Sequence, residues 1–394
     1  MAAIFAAAGG ADVVLIEGTK DGGRKILISG GGRCNVLPAR LDETRFVTDS
    51  SPNALRKMVR AWPLTEQVAF FEKDLRIPLV EEPESVKLFP ASNRARDVRD
   101  GLLRHAGSKG AALLMDSRVT GLAPLDAGWR IELEHRPPID VDAVIVATGG
   151  LSVPNTGSDG FGLAALARLG HTIHPTYAAL TPITADPAPF ASLAGVSLTV
   201  TVTARSERRR AVATGGFLFT HHGYSGPAVL DISHVAVRSR AEKGPPARIV
   251  VRWTTLGDAE WESALKPNGA RTVAGAVRAE LPDRLATALI DMAAVDPTRV
   301  LSELRRDERL RVIESLVRFD LPWTGDEGYK KAEVTGGGVS LAEIDPRTME
   351  SKKHPGLYLC GEVLDAFGPI GGYNFYWAWA TGRAAGIGSS STTA

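Results

Sequence analysis

The chain has 394 residues, enough for two or three domains, and its 44% hydrophobic and 23% charged residues are ordinary for a globular protein. A formal net charge of +1 gives no electrostatic case for a nucleic-acid or anionic-membrane partner. Two cysteines, Cys34 and Cys360, exclude a disulfide framework and a CxxC motif and suit a reducing cytoplasm, and no apolar run approaches the roughly 18 residues of a membrane span.

Taken in order, Met1–Ala8 is an Ala-rich helix stopped by Gly9-Gly10. Asp12 interrupts the apolar run and no cationic segment precedes it, so the start is not a signal peptide. Asp12–Glu17 (DVVLIE) reads as a short buried strand ending in an acid, followed by Gly18. Helix, glycine turn, strand and carboxylate form the second half of a dinucleotide-binding βαβ unit, with Glu17 placed to hydrogen-bond a ribose diol. No strand and no GxGxxG precede Met1. The parallel sheet is therefore expected to lack a middle strand, each unpaired ladder group costing about 1–3 kcal/mol. Folding and ligand binding of the chain as written are expected to be impaired.

Arg24–Val36 (RKILISGGGRCNV) is the stretch that most resembles a ligand loop. Without Cβ atoms, Gly30, Gly31 and Gly32 let the backbone lie flat on a planar ligand. Arg24, Lys25 and Arg33 beside them suit an anion such as a pyrophosphate, and Cys34 and Asn35 follow. The ILI run before the glycines reads as buried.

Leu37–Thr48 reads as a loop, Asn53–Trp62 and Leu64–Leu75 as helices, and Val86–Pro90 as extended. Ser92 is placed to cap a helix running to His105. Ala111–Met115, Arg118–Leu122, Trp129–Glu134 and Ala143–Thr148 read as strands, a β-meander feeding back into a parallel sheet. The last ends in Ala147, Thr148 and Gly149, small residues that admit a ligand. Gly160–Leu169 reads as a helix, and the prolines up to Pro189 mark a boundary.

From Val196 to Trp253 the pattern is alternating and β-rich, with RSERRR (Arg205–Arg210) between two strands. A solvated hairpin is its default reading, ahead of a nucleic-acid patch. Asp258–Phe319 reads as several helices separated by Pro267, Pro282 and Pro297. Leu357–Cys360 is a buried strand before Gly361 and Glu362, and GPIGGYN introduces a helix over Phe375–Ala385. The domains so drawn are 1–180, a β-rich insert 181–256, a helical subdomain 257–325, a return 326–388 and a disordered tail 389–394.

ADVVLIEG, GGRKILISGGGRCNV, ATGGLSVPNTGSDGFG and GEVLDAFGPIGGYNFYWAWATGRAAG together resemble the HI0933-like (BaiN-like) family of FAD-dependent oxidoreductases, over nearly the whole chain. The resemblance implies an α/β fold: a Rossmann-like FAD domain, here without its first strand and GxGxxG, carrying an inserted β-barrel-like plus helical domain. Family members carry both missing parts just upstream. It implies that Gly30–Asn35 lie along the flavin, that Arg24 and Lys25 stand near flavin or pyrophosphate, and that Val119, Ala147, Thr148 and Gly149 pack on the adenosine side. It further implies that Glu362, after Gly361, bonds the ribityl chain and that Gly371, Gly372, Tyr373 and Asn374 meet the isoalloxazine. Tyr376 stands where the family often has Gln, which puts the polar contacts of that edge in question.

FTHHGYSGP (Phe219–Pro227) resembles the family's FTHxGxSGP loop, which makes His221 a candidate proton donor, with a turn-capping role as the alternative. Tyr373 is the other candidate. His171 and His174 have an HxxH spacing but no third ligand, so no metal is expected. GSDGFG (Gly157–Gly162) follows no suitable strand, so NADH or NADPH is expected to dock only transiently. The expected activity is hydride transfer through flavin N5 to an unsaturated or carbonyl-conjugated small molecule. The rivals are a flavin-dependent RNA-modifying enzyme and a catalytically silent flavin-binding remnant.

Overall fold

The computed structural model describes residues 1–83 and 86–391. The chain forms two compact units, Met1–Tyr177 with the chain from Glu333 on, and Ala178–Ala332.

Among the described residues the first unit has two short parallel ladders and an isolated parallel bridge, Val339 with Leu364. Val14–Ile16 pairs with Ala112–Leu114, and Val144–Val146 pairs with Leu357–Leu359. The first of these was expected to be buried, but Val14 is 44% exposed. Val14–Ile16 has one ladder partner among the described residues.

A three-stranded antiparallel meander follows, Val119–Pro124, Trp129–Leu133 and Arg136–Val141. Its third strand escapes a sequence reading because Pro137 and Pro138 look like breakers, yet an edge strand tolerates them. Leu37–Pro38, Lys87–Pro90 and Leu79–Glu82 make a second small sheet. The expected helix after Ser92 starts later, at Ala95, and buries Val98, Leu102 and Ala106 at helical spacing.

The longest helix, Tyr373–Ser391, runs through this unit's core. It packs against Ala2–Ala8 through glycines four apart. A Cβ on Gly386 would lie 2.4 Å from the Ala2 carbonyl oxygen, and one on Gly382 would lie 3.2 Å from Met1 Cβ. Tyr376, Trp377 and Trp379 of the same helix are buried with Phe71 and Tyr358. The tail expected to be disordered from residue 389 continues this helix through Ser391, with Ser389 buried; residues 392–394 lie outside the described residues.

The second unit is a seven-stranded antiparallel sheet with helices on it. The strand order is Phe319–Asp320, Arg248–Arg252, Ser197–Arg205, Arg210–Thr220, Gly223–Ser225, Ile183–Thr184 and Gly325–Asp326. Sheet and helices share one core around Phe217, Phe219, Trp253, Trp261 and Val312. Within the run read as β-rich lies a helix, Pro227–Ala241. Pro227 opens it, and Ala228, Val229, Ile232, Val235 and Ala236 bury at a 3.6-residue period that the β-branched composition disguises. RSERRR is a tight hairpin, Arg205 opposite Arg210, in which Ser206 Oγ accepts from the Arg209 N–H at 3.1 Å.

Candidate functional site

In the first unit, ligand-loop residues gather at the carboxyl ends of the parallel strands, where α/β sheets bind ligands. Glu17 and Gly18 follow Val14–Ile16, Ala147–Gly149 follow Val144–Val146, and Gly361 and Glu362 follow Leu357–Leu359.

The glycine loop adopts the backbone its sequence demands. Gly30, Gly31 and Gly32 have φ of 55°, 67° and 84°, a left-handed run that side chains disfavour. A Cβ on Gly31 would meet nothing within 4 Å, so this part of the loop is open. The ILI run before it is not buried: it is the outer part of the short helix Arg24–Ile28, and Ile28 is 52% exposed. Two of the flanking cations are occupied by neighbours. Arg24 pairs with Asp21 at 2.9 Å, and Arg33 bonds Glu82 at 2.9 Å while lying 4.2 Å over the Phe89 ring. Cys34 and Cys360 are buried, which pushes their thiols up to about 12 and about 11 and leaves neither as a thiolate nucleophile.

Lys25 is different. Its Nζ pairs with Glu362 Oε2 at 2.5 Å and also bonds Ser152 Oγ. Ser152 Oγ donates to the other carboxylate oxygen, Glu362 Oε1, at 2.5 Å, and that oxygen also accepts from the Thr335 N–H at 3.0 Å. Thr335 Oγ1 in turn accepts from Leu151 N at 2.7 Å and Ser152 N at 3.1 Å. A Cβ on Gly150 would lie 2.4 Å from Thr335 Oγ1. Four distant segments thus meet on one carboxylate. Ser152 and Thr335 were not picked out from sequence; each is a hydroxyl residue placed within two positions of consecutive glycines, Gly149-Gly150 and Gly336–Gly338, the only signal available. Glu333, two residues before Thr335, is reached by solvent yet hemmed in by protein. Burial pushes its carboxyl up, against the opposing pull of Lys25 and Lys87.

The GPIGGYN turn is pressed onto the strand after the glycine loop. Gly371 and Gly372 have φ of 112° and 89°, and a Cβ on Gly372 would lie 2.4 Å from Leu37 C. Asn374 bonds both the N–H and the carbonyl of Gly368 at 2.9 Å, closing its own turn. Trp377 Nε1 donates to Gly361 O at 3.0 Å and Trp379 Nε1 to Val36 O at 3.1 Å, tying the helix to both loops. Tyr373 is buried, and its Oη donates to Arg40 O at 3.3 Å and accepts from Asp42 N at 3.2 Å. That hydroxyl is already spent on backbone. Tyr376 Oη lies 2.8 Å from Val59 O, at the end of the helix Pro52–Val59.

At the remaining strand ends, Glu17 Oε1 accepts from Thr19 N at 2.8 Å and Thr19 Oγ1 at 2.6 Å. Gly18 approaches Arg118 Cα, which brings Val119 beside it. Ala147 and Thr148 are exposed. Glycines with open Cβ directions, a half-buried ammonium–carboxylate pair and exposed strand ends fit an extended, anionic dinucleotide such as FAD. Among the described residues no group of His, Cys, Asp and Glu is arranged to hold a metal, and His171 instead bonds Glu343 and Ser351. No helix among them is long and apolar enough to cross a membrane.

His221 belongs to the second unit. It sits with His222 at the two-residue tip between Arg210–Thr220 and Gly223–Ser225, exposed, its imidazole bonded to no described residue. A turn-capping role for that ring is therefore not seen.

A family profile described as the HI0933-like protein Rossmann domain matches residues 1–388. The chain is 32% identical over 389 residues to the ribosomal RNA dihydrouridine synthase of Escherichia coli (strain K12), covering 94% of this chain and 90% of that protein. It is 30% identical over 394 residues to the 3-dehydro-bile acid delta(4,6)-reductase of Clostridium scindens, covering 98% and 95%. Among solved structures, a 3-ketosteroid-delta4-(5alpha)-dehydrogenase from Rhodococcus jostii RHA1 aligns with a TM-score of 0.45 at 15% identity, covering 99% of this chain and 94% of that one.

Proposed function

The chain belongs to the HI0933-like family of FAD-dependent oxidoreductases, and from that premise we propose that it reduces a C=C bond conjugated to a carbonyl, with electrons from NADH or NADPH. The observation that carries this reading is the convergence of Lys25, Ser152, Thr335 and Glu362 beside open glycines at the strand ends. The activities for which two of the relatives are named share the chemistry. A 3-dehydro Δ4,6 substrate has double bonds conjugated to a ketone, and the uridine ring has one conjugated to a carbonyl.

FAD, when bound, supplies a hydride from N5 to the far carbon of such a conjugated system. Lys25, Glu362, Asn35 and Gly361 would hold the cofactor's chain and Gly30–Gly32 and Gly371–Asn374 would line its ring, with Cys34 buried behind the loop. Glu17 takes the ribose diol through its second oxygen, with Gly18, Val119 and Ala147–Gly149 on the adenosine side; Arg24 and Arg33 act by screening rather than contact. The electron pair arriving with the hydride leaves an enolate, which needs one proton. His221 is our candidate donor, because its ring is exposed and bonded to no described residue. The nicotinamide donor docks transiently. We place the protein in the cytoplasm, where two free thiols persist.

The test is anaerobic. The reconstituted protein is reduced with NADH or NADPH and then offered a Δ4-3-ketone. Reoxidation of the flavin with one saturated bond formed per hydride supports the reading. Reoxidation by oxygen alone overturns it.

A second reading, a flavin enzyme acting on RNA, has one structural observation in its favour. Arg210, Arg205 and Arg248 stand side by side across three neighbouring strands. Like charges directly opposite destabilise a sheet, and an anionic ligand would offset that. Of the three, Arg248 is bonded to Asp320. Retention of ribosomal RNA that weakens steeply with salt and is lost in Arg205→Glu would support this reading; salt-insensitive absence of retention would dispose of it.

A further inference from the structure

One lysine at the site has no assigned task. Lys87 lies opposite Pro38 in the pairing of Lys87–Pro90 with Leu37–Pro38, and Gly372 rests against that same Leu37–Pro38 strand. A Cβ on Gly371 would lie 3.4 Å from Lys87 Cε and 3.6 Å from Lys87 Cγ. The lysine stem therefore runs beside Gly371 at van der Waals distance, which carries the ammonium along the GGYN turn. The residue is half-buried, and among the described residues its ammonium makes no ion pair or hydrogen bond. Lys25 has its carboxylate in Glu362. Lys87 has only the diffuse attraction of Glu333, which it shares with Lys25. A lysine whose stem is packed and whose ammonium has no bonded partner is available to an anion placed beside that turn.

Resting on the reading of GGYN as the turn that meets the isoalloxazine, we propose that Lys87 stabilises the negative charge a bound flavin gains at its N1–C2=O edge on taking up two electrons. Lys87 keeps its proton throughout. With a flavin bound and reduced by hydride at N5, the Lys87 ammonium would offset the charge at the N1–C2=O edge. Gly371 takes a φ of 112°, a backbone that side chains disfavour, and this turn keeps the Lys87 stem in contact with it.

The test uses the full chain loaded with FAD, as wild type, Lys87→Met and Lys87→Arg. It reads flavin content per protein, the dissociation constant of the sulfite adduct, and the midpoint potential against redox dyes. Sulfite adds to N5 and places the same negative charge on N1–C2=O without turnover. Lys87→Met should keep its flavin, weaken sulfite about tenfold or more and lower the potential, as loss of one charged hydrogen bond requires. Lys87→Arg should restore most of both. The proposal is overturned if Lys87→Met binds flavin with sulfite affinity and potential unchanged, or if it loses flavin altogether while Lys87→Arg keeps it, which would make Lys87 a binding group only. Should Lys87→Met fail to fold, Lys87→Gln carries the same comparison. A wild-type chain that takes up no flavin overturns the cofactor reading itself, and the absence of flavin colour before any substitution distinguishes that result.

Discussion

Lys25 and Glu362, 337 positions apart, form a 2.5 Å ion pair whose second carboxylate oxygen is held by Ser152 and by the Thr335 N–H. The two side chains are 29% and 17% exposed, so the pair is partly shielded from solvent. A carboxylate saturated by three donors is rigid, and a rigid acid is a good anchor for a flexible cofactor chain.

Removing either partner should therefore act on cofactor retention more than on stability. Glu362→Gln and Lys25→Met should each raise the FAD dissociation constant by about tenfold or more. Because the two groups touch, the double variant should lose less than the sum, with a coupling of about 1–2 kcal/mol. Fluorescence titration of FAD against the three variants measures it. Strict additivity would mean that the pair does not act as a unit.

Two glycine substitutions should separate fold from ligand. Gly31→Ala adds a methyl with no neighbour within 4 Å, at φ 67°. It should cost only the left-handed strain, about 1–2 kcal/mol, and lower FAD affinity where the loop meets the ligand. Gly372→Ala drives a Cβ to 2.4 Å from Leu37 C at φ 89° and should destabilise by about 3 kcal/mol or more. Thermal melts with and without FAD distinguish the two.

Tyr373→Phe removes a hydroxyl that bonds only Arg40 O and Asp42 N. It should lower stability by about 1 kcal/mol and leave the rate of substrate reduction unchanged. His221→Gln should leave the melting temperature unchanged and slow turnover about a hundredfold in steady-state assays. The opposite pattern would return the proton to Tyr373.

Acid should destabilise the first unit through one cluster. Burial holds the His171 imidazole below its ordinary 6.5, and Nδ1 bonds Glu343 while Nε2 accepts from Ser351 Oγ, the pattern of a neutral ring. Burial alone would raise Glu343, but hydrogen bonds from Lys353, Thr172 and His171 outweigh it and hold it at about 2, against an ordinary 4.5. In both cases the unfolded chain takes up its proton first. Stability is thus complete above about pH 6.5, declines below it through His171, and falls again between about 4.5 and 2 through Glu343. Glu343→Gln should flatten the lower step in a series of melts across pH. An unchanged profile would refute the assignment.

How legible the site was in the sequence depends on how local each residue's task is. Gly30–Gly32 and Gly371–Gly372 are recognisable because the backbone conformation they permit is decided residue by residue. The Arg205–Arg210 hairpin is likewise local. Ser152, Thr335 and Lys87 were not recognisable, since a hydroxyl or an ammonium acquires its task only from the strand register and loop that face it. The same limit explains Tyr373, whose position in a ligand motif suggested chemistry while its hydroxyl is used up on backbone. Pro227–Ala241 was hidden by β-branched residues whose spacing, rather than their type, decides the element.

The anchoring carboxylate also has a consequence in time. A chain made from its N-terminus presents Lys25 long before Glu362 exists. At about 5–20 residues per second, the intervening 337 residues take roughly 20–70 s to synthesise. During that interval the glycine loop has neither its acid nor the tryptophans that later tie it down. The inserted unit, Ala178–Ala332, is complete before Glu333 is made. On a ribosome, then, the insert is finished first, and the cofactor cradle that encloses it in sequence closes last.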